Sequence, residues 1–265
     1  MIGEIKLSLK KVVKEYFDEI DRRFFSTVRE YMPWQDRPFD NLLDFADLKS
    51  KDVLEIGVGH GSHAQLIATH CHSFTGIDLT ETAIAMTRQR FSVNGLLGDI
   101  KQMDAEKMVF PSNSFDLVWS WGVIHHSAST DKIIQEISRV LRPVGRAVLM
   151  VYHRSPWRYY VYDGFFKGIL RGELFRTQGG LHGVSQSQTD GAIARFYTVS
   201  EWKDQCTEIL PVTAISVTGQ KIDVVPLPKG KLRDLVCSAI PDAVSQFLTN
   251  NLKFGSFLIS EHRAK

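Results

Sequence analysis

The stretch that decides the fold reads Val53-Leu54-Glu55-Ile56-Gly57-Val58-Gly59-His60-Gly61-Ser62. A short strand-like run with apolar Val53, Leu54 and Ile56 leads directly into glycines at alternate positions, and a helical pattern follows. Glycine adopts backbone conformations that other residues avoid and lets a ligand approach the main chain. The first turn of the following helix offers unpaired N–H groups. The sequence therefore predicts a nucleotide-like ligand at this turn.

Working outward, short apolar strands alternate with helical segments along the next hundred residues. The predicted strands are 53–56, 73–77, 115–119 and 147–151, and the predicted helices are 83–91 and 132–141. This alternation is typical of βαβ units, and it predicts an α/β fold with a mostly parallel sheet.

The flanking segments have their own patterns. An amphipathic helix is predicted over 9–31, a short helix over 39–48, and strands over 213–218 and 254–260. We expect residues 1–50 to form an N-terminal helical element covering the site and 51–151 to form the binding core. Residues 152–200 follow no single period and are expected to be a substrate-covering insertion. Residues 201–265 complete the same domain.

The composition is that of an ordinary globular protein, with 43% hydrophobic and 23% charged residues among 265. The 32 basic and 30 acidic residues leave a formal net charge of +2, which predicts no nucleic-acid partner. There is no run of 18 apolar residues that would predict a membrane span. Cys71, Cys206 and Cys237 are too far apart for a disulfide framework, so we expect a cytoplasmic location.

Two cofactor classes fit a glycine turn of this kind, and two residues separate them. The dinucleotide fingerprint needs a glycine where this chain has Ser62. Glu55 precedes the first glycine by two positions, where its carboxylate would repel a pyrophosphate but attract the ammonium and sulfonium groups of S-adenosylmethionine. The turn therefore favours S-adenosylmethionine over NAD.

Two further acidic positions extend this predicted cofactor site. Asp78 lies 19 residues after Gly59, at the end of the second strand, where a carboxylate accepts hydrogen bonds from ribose hydroxyls, although this feature fits NAD equally well. Leu79 follows it. Asp104 and Ala105 lie in the loop after the third strand and suit contacts with the adenine ring.

These motifs, together with Gly76-Ile-Asp78-Leu-Thr80, Ser114-Phe-Asp116-Leu-Val, Gly122-Val-Ile-His-His126 and Glu136-Ile-Ser-Arg-Val-Leu-Arg142-Pro, resemble those of class I S-adenosylmethionine-dependent methyltransferases. The likeness is to the small-molecule branch that includes quinone-biosynthesis enzymes, and it covers about residues 50–152. It implies a Rossmann-like, seven-stranded, mostly parallel sheet with helices on both faces and an antiparallel pair of last strands. It also implies that Glu55, Gly57, Gly59 and Gly61 line the methionine end of the cofactor. Val144 departs from the family's usual Pro-Gly-Gly turn.

Candidate catalytic and substrate residues follow the fourth and fifth predicted strands. His125 is the candidate general base, and the alternative is that His125 and His126 only cap or pack the next helix. Trp119, Trp121 and Tyr16 could face the sulfonium or the adenine, and a core role is equally compatible with the sequence. Tyr152, His153 and Arg154 follow the predicted fifth strand and could meet the substrate, and Tyr152 and Arg154 are the candidate substrate residues.

The remaining expectations concern partners and metals. His60, His63, His70, Cys71 and His72 close no four-ligand pattern, so no metal site is predicted. The basic, amphipathic segment 165–176 is interpreted as a lid, with peripheral membrane contact or entry of a lipophilic substrate as alternatives. The sequence leaves the oligomeric state open.

The expected reaction is methyl transfer from S-adenosylmethionine to a small or medium-sized acceptor, at oxygen. Methylation of nitrogen or carbon, on a quinone-like or peptide acceptor, and a catalytically silent cofactor-binding protein are the alternatives. An NAD-dependent oxidoreductase is disfavoured by Glu55 and Ser62.

Overall fold

The computed structural model describes residues 2–170, 172–176, 180–186, 193–225, 227 and 230–265. The strands are β1 Asp52–Ile56, β2 Ser73–Asp78, β3 Asp99–Gln102, β4 Phe115–Trp121, β5 Leu141–His153, β6 Phe196–Tyr197, β7 Val212–Thr218 and β8 Phe257–Arg263. The α-helices are α1 Ile2–Tyr31, α2 Ser62–Ala68, α3 Glu81–Asn94, α4 Thr130–Val140, α5 Glu173–Arg176, α6 Gly180–Gln186, α7 Val199–Thr207, α8 Lys221–Val224, α9 Lys231–Ala239 and α10 Asp242–Gln246. Short 3₁₀ turns span Asp47–Ser50 and Ile124–His126, and π-helices span Pro156–Leu170 and Phe247–Asn251.

The strands form one sheet in the order β3-β2-β1-β4-β5-β8-β7. Strands β1 to β5 are parallel to their neighbours, whereas β8 lies antiparallel between β5 and β7. The Rossmann-like α/β fold and the antiparallel last strands are therefore confirmed. The predicted count of seven is one short, because the two-residue β6 also pairs with the end of β5.

Helices cover both faces of the sheet, as expected. Along β1, Val53 packs into a core shared with α1, α2 and α3, while Leu54 packs into a core shared with α4 and α7. Successive side chains of a strand point to opposite faces, so β1 contributes to both cores. The carboxyl ends of the parallel strands meet at one edge, which is where the glycine turn, Asp78 and the loop after β4 lie.

The short helix predicted over 39–48 is wrong. The structure has turns there, followed by the 3₁₀ turn. The Asp40 carboxylate accepts the N–H groups of Gln35 and Asp36, and the Asp44 carboxylate accepts those of Ala46 and Asp47. Such local bonds between aspartate and the main chain compete with helix formation.

The segment after β5 is largely helical. The π-helix Pro156–Leu170 contacts α5 and α6, and all three follow the carboxyl end of β5. Part of the basic stretch interpreted as a lid, including Arg171, lies outside the described residues. Val144, at the unusual turn before the main part of β5, adopts a left-handed conformation with φ of 59°.

Candidate active site

The glycine turn is held by its backbone. Gly57 has φ of 82° and donates its N–H to the Ile77 carbonyl over 2.7 Å. A Cβ atom at Gly57 would overlap the side chain of Val123, whereas a Cβ at Gly59 would meet no atom within 4 Å. Gly61 also has a positive φ, of 78°, and is the N-cap residue just before α2. The turn therefore needs glycine for conformation at these positions and leaves open space beside Gly59.

Asp78 fixes the neighbouring loop. Its Oδ2 accepts the Gly59 N–H over 3.2 Å, and its Oδ1 accepts the N–H and hydroxyl of Thr80, each over 2.9 Å. Thr80 in turn caps α3. Leu79 is 67% exposed beside this carboxylate, although leucine is usually buried. The pair thus presents a carboxylate and an apolar surface at the edge where a ribose and a base are expected.

Glu55 is buried at the end of β1, and among the described residues its Oε2 has no hydrogen-bond partner. Burial, reinforced by the nearby Asp78 charge, holds the pKa of Glu55 well above its usual range. A buried carboxyl without a partner is unfavourable, and a cationic ligand group is the natural complement. This orphaned oxygen fits the ammonium end of the predicted cofactor.

Asp104 and Ala105 follow β3 at the same edge. The Asp104 Oδ1 accepts the Glu106 N–H over 2.8 Å, and the Met103 N–H donates to the Asp78 carbonyl over 2.9 Å. The Asp104 side chain is exposed and Ala105 is half-buried. The structure therefore brings the predicted ribose and adenine residues onto adjacent loops.

Trp119 lies in the core. Its ring is fully buried and stacks on Trp121 with 5.3 Å between centroids, and its Nε1 donates to the His63 Nδ1 over 2.9 Å. Phe39 packs against both indoles. Tyr16 is exposed on α1. This geometry matches the core alternative for Trp119, and its contact with the cofactor stays a prediction.

His125 is enclosed at the loop after β4. Its imidazole is fully buried, and neither ring nitrogen has a hydrogen-bond partner among the described residues. The Tyr152 ring lies against it with 3.8 Å between centroids, and the His126 ring lies 4.2 Å away. Burial, with a smaller effect of His126, holds the pKa of His125 well below its usual range. The imidazole is therefore neutral and enclosed, and its role as the general base stays a prediction.

Arg154 is already paired. Its Nη1 donates to the Glu201 carboxylate over 2.8 Å and its Nη2 donates to the Phe196 carbonyl over 3.0 Å. Glu201 belongs to the capping box of α7. Arg154 thus ties the end of β5 to β6 and α7, and this structural role competes with the predicted role in substrate binding.

A cavity of about 190 Å³ lies beyond the end of β5. Its wall includes Tyr152 and His153, which the sequence places after the predicted fifth strand, and also Arg158, Asp223 and Ser256, which no sequence pattern indicated. Arg158, Asp223 and Ser256 belong to segments without a motif.

The N-terminal helix is joined to the glycine turn through Arg90 of α3. The fully buried guanidinium donates from Nη1 to both carboxylate oxygens of Asp21, over 2.9 and 2.7 Å, and from Nε to the His60 carbonyl over 2.8 Å. It also contacts the Gln65 amide oxygen and lies over the Phe17 ring. Arg90 therefore connects α1 with the loop that borders the cofactor position.

No cluster of three metal-ligating side chains occurs within the described part of the chain. In the same part, no helix is both long enough and apolar enough to span a bilayer.

Comparison with known proteins places this geometry in a family. Residues 54–149 match the family described as methyltransferase domain. A fatty-acid O-methyltransferase of Mycolicibacterium smegmatis is 37% identical over 102 residues, which are 38% of this chain and 36% of that protein. A ubiquinone biosynthesis O-methyltransferase of Pseudomonas aeruginosa is 30% identical over 147 residues, which are 54% of this chain and 63% of that protein.

The chain thus matches about a third of the length of the first of these relatives and under two thirds of the second. An S-adenosylmethionine-dependent methyltransferase from Mesorhizobium loti has the same fold, with a TM-score of 0.55, 16% identity, and coverage of 82% of this chain and 92% of that one. Residues 54–149 therefore match a methyltransferase domain, and the sheet has the fold of the Mesorhizobium loti S-adenosylmethionine-dependent methyltransferase.

Proposed function

We propose that the protein transfers a methyl group from S-adenosylmethionine to an oxygen atom of a small, lipophilic acceptor. The observation that carries this proposal is the meeting of Glu55, Gly59 and Asp78 at one edge of the sheet. The buried Glu55 carboxyl, whose Oε2 has no partner among the described residues, suits the ammonium group of that cofactor. The open space beside Gly59 suits its methionine chain, and the Asp78 carboxylate at the end of β2 suits its ribose. Leu79, Asp104 and Ala105 complete the adenine end of the proposed site.

The cofactor, when bound, supplies a methyl group on a cationic sulfur that is open to in-line displacement. The protein has to place the acceptor oxygen about 3–3.5 Å from that methyl carbon and keep water away. We assign the first task to the wall of the cavity after β5. Exclusion of water falls to the N-terminal element 1–50 and the insertion 152–200, with 201–265 completing the domain.

Oxygen as the methylated atom is supported by the relatives, since both proteins named above are O-methyltransferases, of a fatty acid and of a ubiquinone precursor pathway. The acceptor in this proposal is a small molecule, and the balanced charge gives no reason to invoke nucleic acid. Cys71, Cys206 and Cys237 are free thiols, as expected in the reducing cytoplasm where we place the protein.

Calorimetric titration with S-adenosylhomocysteine tests the cofactor assignment, with NADH titrated in parallel. We expect S-adenosylhomocysteine to bind and NADH not to bind. Asp78→Ala should weaken binding by about 1.5–3 kcal/mol, the scale of hydrogen bonds to a charged group. Asp99→Ala is the matched control, because Asp99 is an exposed carboxylate that begins β3 away from the site.

Equal affinity of the wild type and Asp78→Ala would remove Asp78 from the site, and preferential binding of NADH would overturn the proposal. Binding of S-adenosylhomocysteine with no methyl transfer to any acceptor would indicate a catalytically silent cofactor-binding protein instead.

A further inference from the structure

The cavity after β5 has a wall that suits a flat ring. Phe196 of β6 stacks on Tyr152 with 5.6 Å between centroids, and Tyr159 of the π-helix lies 5.5 Å from Phe196. Phe257, which pairs with Tyr152 across β5 and β8, also borders the cavity. An apolar cavity of about 150 Å³ holds benzene, so 190 Å³ has room for one substituted aromatic ring.

His153 gives this cavity a proton acceptor. Its Nδ1 lies 2.8 Å from the Gly255 carbonyl oxygen. A carbonyl only accepts, so Nδ1 carries the proton and Nε2 of the neutral ring carries the lone pair. No donor in the described part of the chain reaches that Nε2. Burial lowers the pKa of His153, which keeps the ring neutral at neutral pH.

The charges in the wall select against an anionic acceptor. The carboxyl group of Asp223 is buried there, and Arg158 is the one cation among the described lining residues. The Arg158 Nη1 lies 3.9 Å from Asp223 and is thereby partly neutralised. A carboxylate entering this cavity would have to compete with Asp223 for the Arg158 guanidinium, whereas a neutral hydroxyl compound would not.

The cavity also adjoins the cofactor edge. Tyr152 borders the cavity and also contacts the His125 ring in the loop after β4. The same loop contains Val123, which lies against Gly57 of the glycine turn. An occupant of the cavity therefore lies next to the loop that borders the methyl-donor position, as an acceptor must.

From these observations we infer that the cavity binds a neutral phenol and that His153 is the general base for its methylation. This inference rests on the proposed function. His153 Nε2 takes the proton of the phenolic O–H while the oxygen forms a bond to the methyl carbon. The methyl–sulfur bond breaks, its electron pair stays on the sulfur as a neutral thioether, and the imidazolium later releases the proton to solvent. His125 is fully buried against Tyr152, so we assign the base role to His153 instead.

Ligand binding tests the cavity without turnover. Protein labelled with ¹⁵N in the histidine rings is titrated with 4-ethylphenol and with 4-ethylbenzoate, which differ in the group presented to His153. We expect the phenol to shift the His153 Nε2 resonance, assigned by its loss in His153→Asn, and to leave exposed His72 unchanged. The benzoate should bind at least tenfold more weakly. Tighter binding of the benzoate, or an unmoved His153 resonance, overturns the cavity assignment.

Single-turnover transfer of labelled methyl to 4-ethylphenol tests the base. Asparagine can keep the hydrogen bond to the Gly255 carbonyl but has no basic nitrogen, so His153→Asn should slow transfer by about 10²–10⁴-fold. The deficit should shrink as the pH approaches about 10, where a phenol ionises without help. His72→Asn should react like the wild type. A purely structural role would give a deficit independent of pH.

The outcomes separate the inference from the proposal on which it rests. A wild-type rate in His153→Asn, or a pH-dependent loss in His125→Asn alone, overturns the base assignment. A shifted His153 resonance with no transfer by the wild type also overturns it, while leaving the phenol cavity in place. Titration of that same sample with S-adenosylhomocysteine then shows whether the methyltransferase proposal has failed as well.

Discussion

Removal of the Asp21 carboxylate should destabilise the protein through Arg90. The Arg90 guanidinium is fully buried, and Asp21 is its only carboxylate partner among the described ion pairs. Asp21→Ala leaves that charge buried and unpaired. Breaking a buried pair in this way costs about 3–5 kcal/mol. The Asp21 side chain is 17% exposed, so water can enter the vacated space, and we place the loss near 3 kcal/mol.

The assay is denaturant unfolding at pH 7, supported by thermal unfolding. For a chain of roughly this size, 1 kcal/mol lowers the melting temperature by about 2–4 °C, so Asp21→Ala should melt about 6–12 °C below the wild type. Asp18→Ala is the control, because Asp18 is an exposed carboxylate on the same helix. It should change stability by no more than about 0.5 kcal/mol.

A second measurement links this pair to the site. Because Arg90 also binds the His60 carbonyl, Asp21→Ala should weaken S-adenosylhomocysteine binding. Adding Arg90→Met removes the stranded charge and should restore at least about 1 kcal/mol relative to Asp21→Ala alone. If Asp21→Ala is as stable as Asp18→Ala, or if the double variant is less stable than Asp21→Ala, the pair does not hold α1 as argued.

Three further predictions concern the backbone and acid stability. Gly57→Ala should lower the free energy of unfolding by about 2–3 kcal/mol, measured in denaturant, because alanine disfavours the left-handed backbone and its Cβ would overlap Val123. Adding Val123→Ala should restore the share of this loss that comes from the overlap. Val144→Gly should raise the free energy of unfolding by about 0.5–1 kcal/mol, because Val144 is 71% exposed and β-branched, and its φ of 59° is a left-handed conformation that glycine adopts without strain. An unchanged denaturant midpoint would contradict this prediction. Burial lowers the pKa of His63 to about 3 in the folded protein. Below about pH 6.5 the imidazole therefore takes up a proton in the unfolded chain but not in the folded one. The free energy of unfolding should then fall as the pH drops, by up to about 1.4 kcal/mol per pH unit. His63→Gln should flatten this loss between pH 6.5 and 4, and an unchanged slope would show that His63 protonates while folded.

The cofactor side of the site could be predicted because its geometry is local or set by neighbouring parallel strands. Gly57 to Gly61 follow β1 directly, and Asp78 ends the strand beside it. Parallel pairing brings such strand ends together wherever the βαβ pattern is found. The strand and glycine pattern alone was therefore enough to place these residues at one edge, and their contact with the cofactor stays a prediction.

Burial was harder to predict from sequence. Trp119 and His125 each lie at or just beyond a strand end, where both a ligand contact and a core position are compatible with the pattern. The structure encloses both rings through partners far away in the chain, such as His63 for Trp119 and Tyr152 for His125. A helix over 39–48 failed for a more local reason, since the Asp40 and Asp44 carboxylates bind the main chain there.

The acceptor side depends on contacts that no spacing rule reports. His153 is oriented by Gly255, and Arg158 faces Asp223 from a different helix. These partners meet only because β8 returns antiparallel to β5 and brings the C-terminal segment to the end of β5. Acceptor choice can therefore change through the π-helix, α6 and α8 without disturbing the glycine turn. Exchanging wall residues such as Arg158 or Tyr159 should accordingly alter phenol affinity while S-adenosylhomocysteine affinity stays constant, and a parallel loss of both would show that the two sides are one cooperative unit.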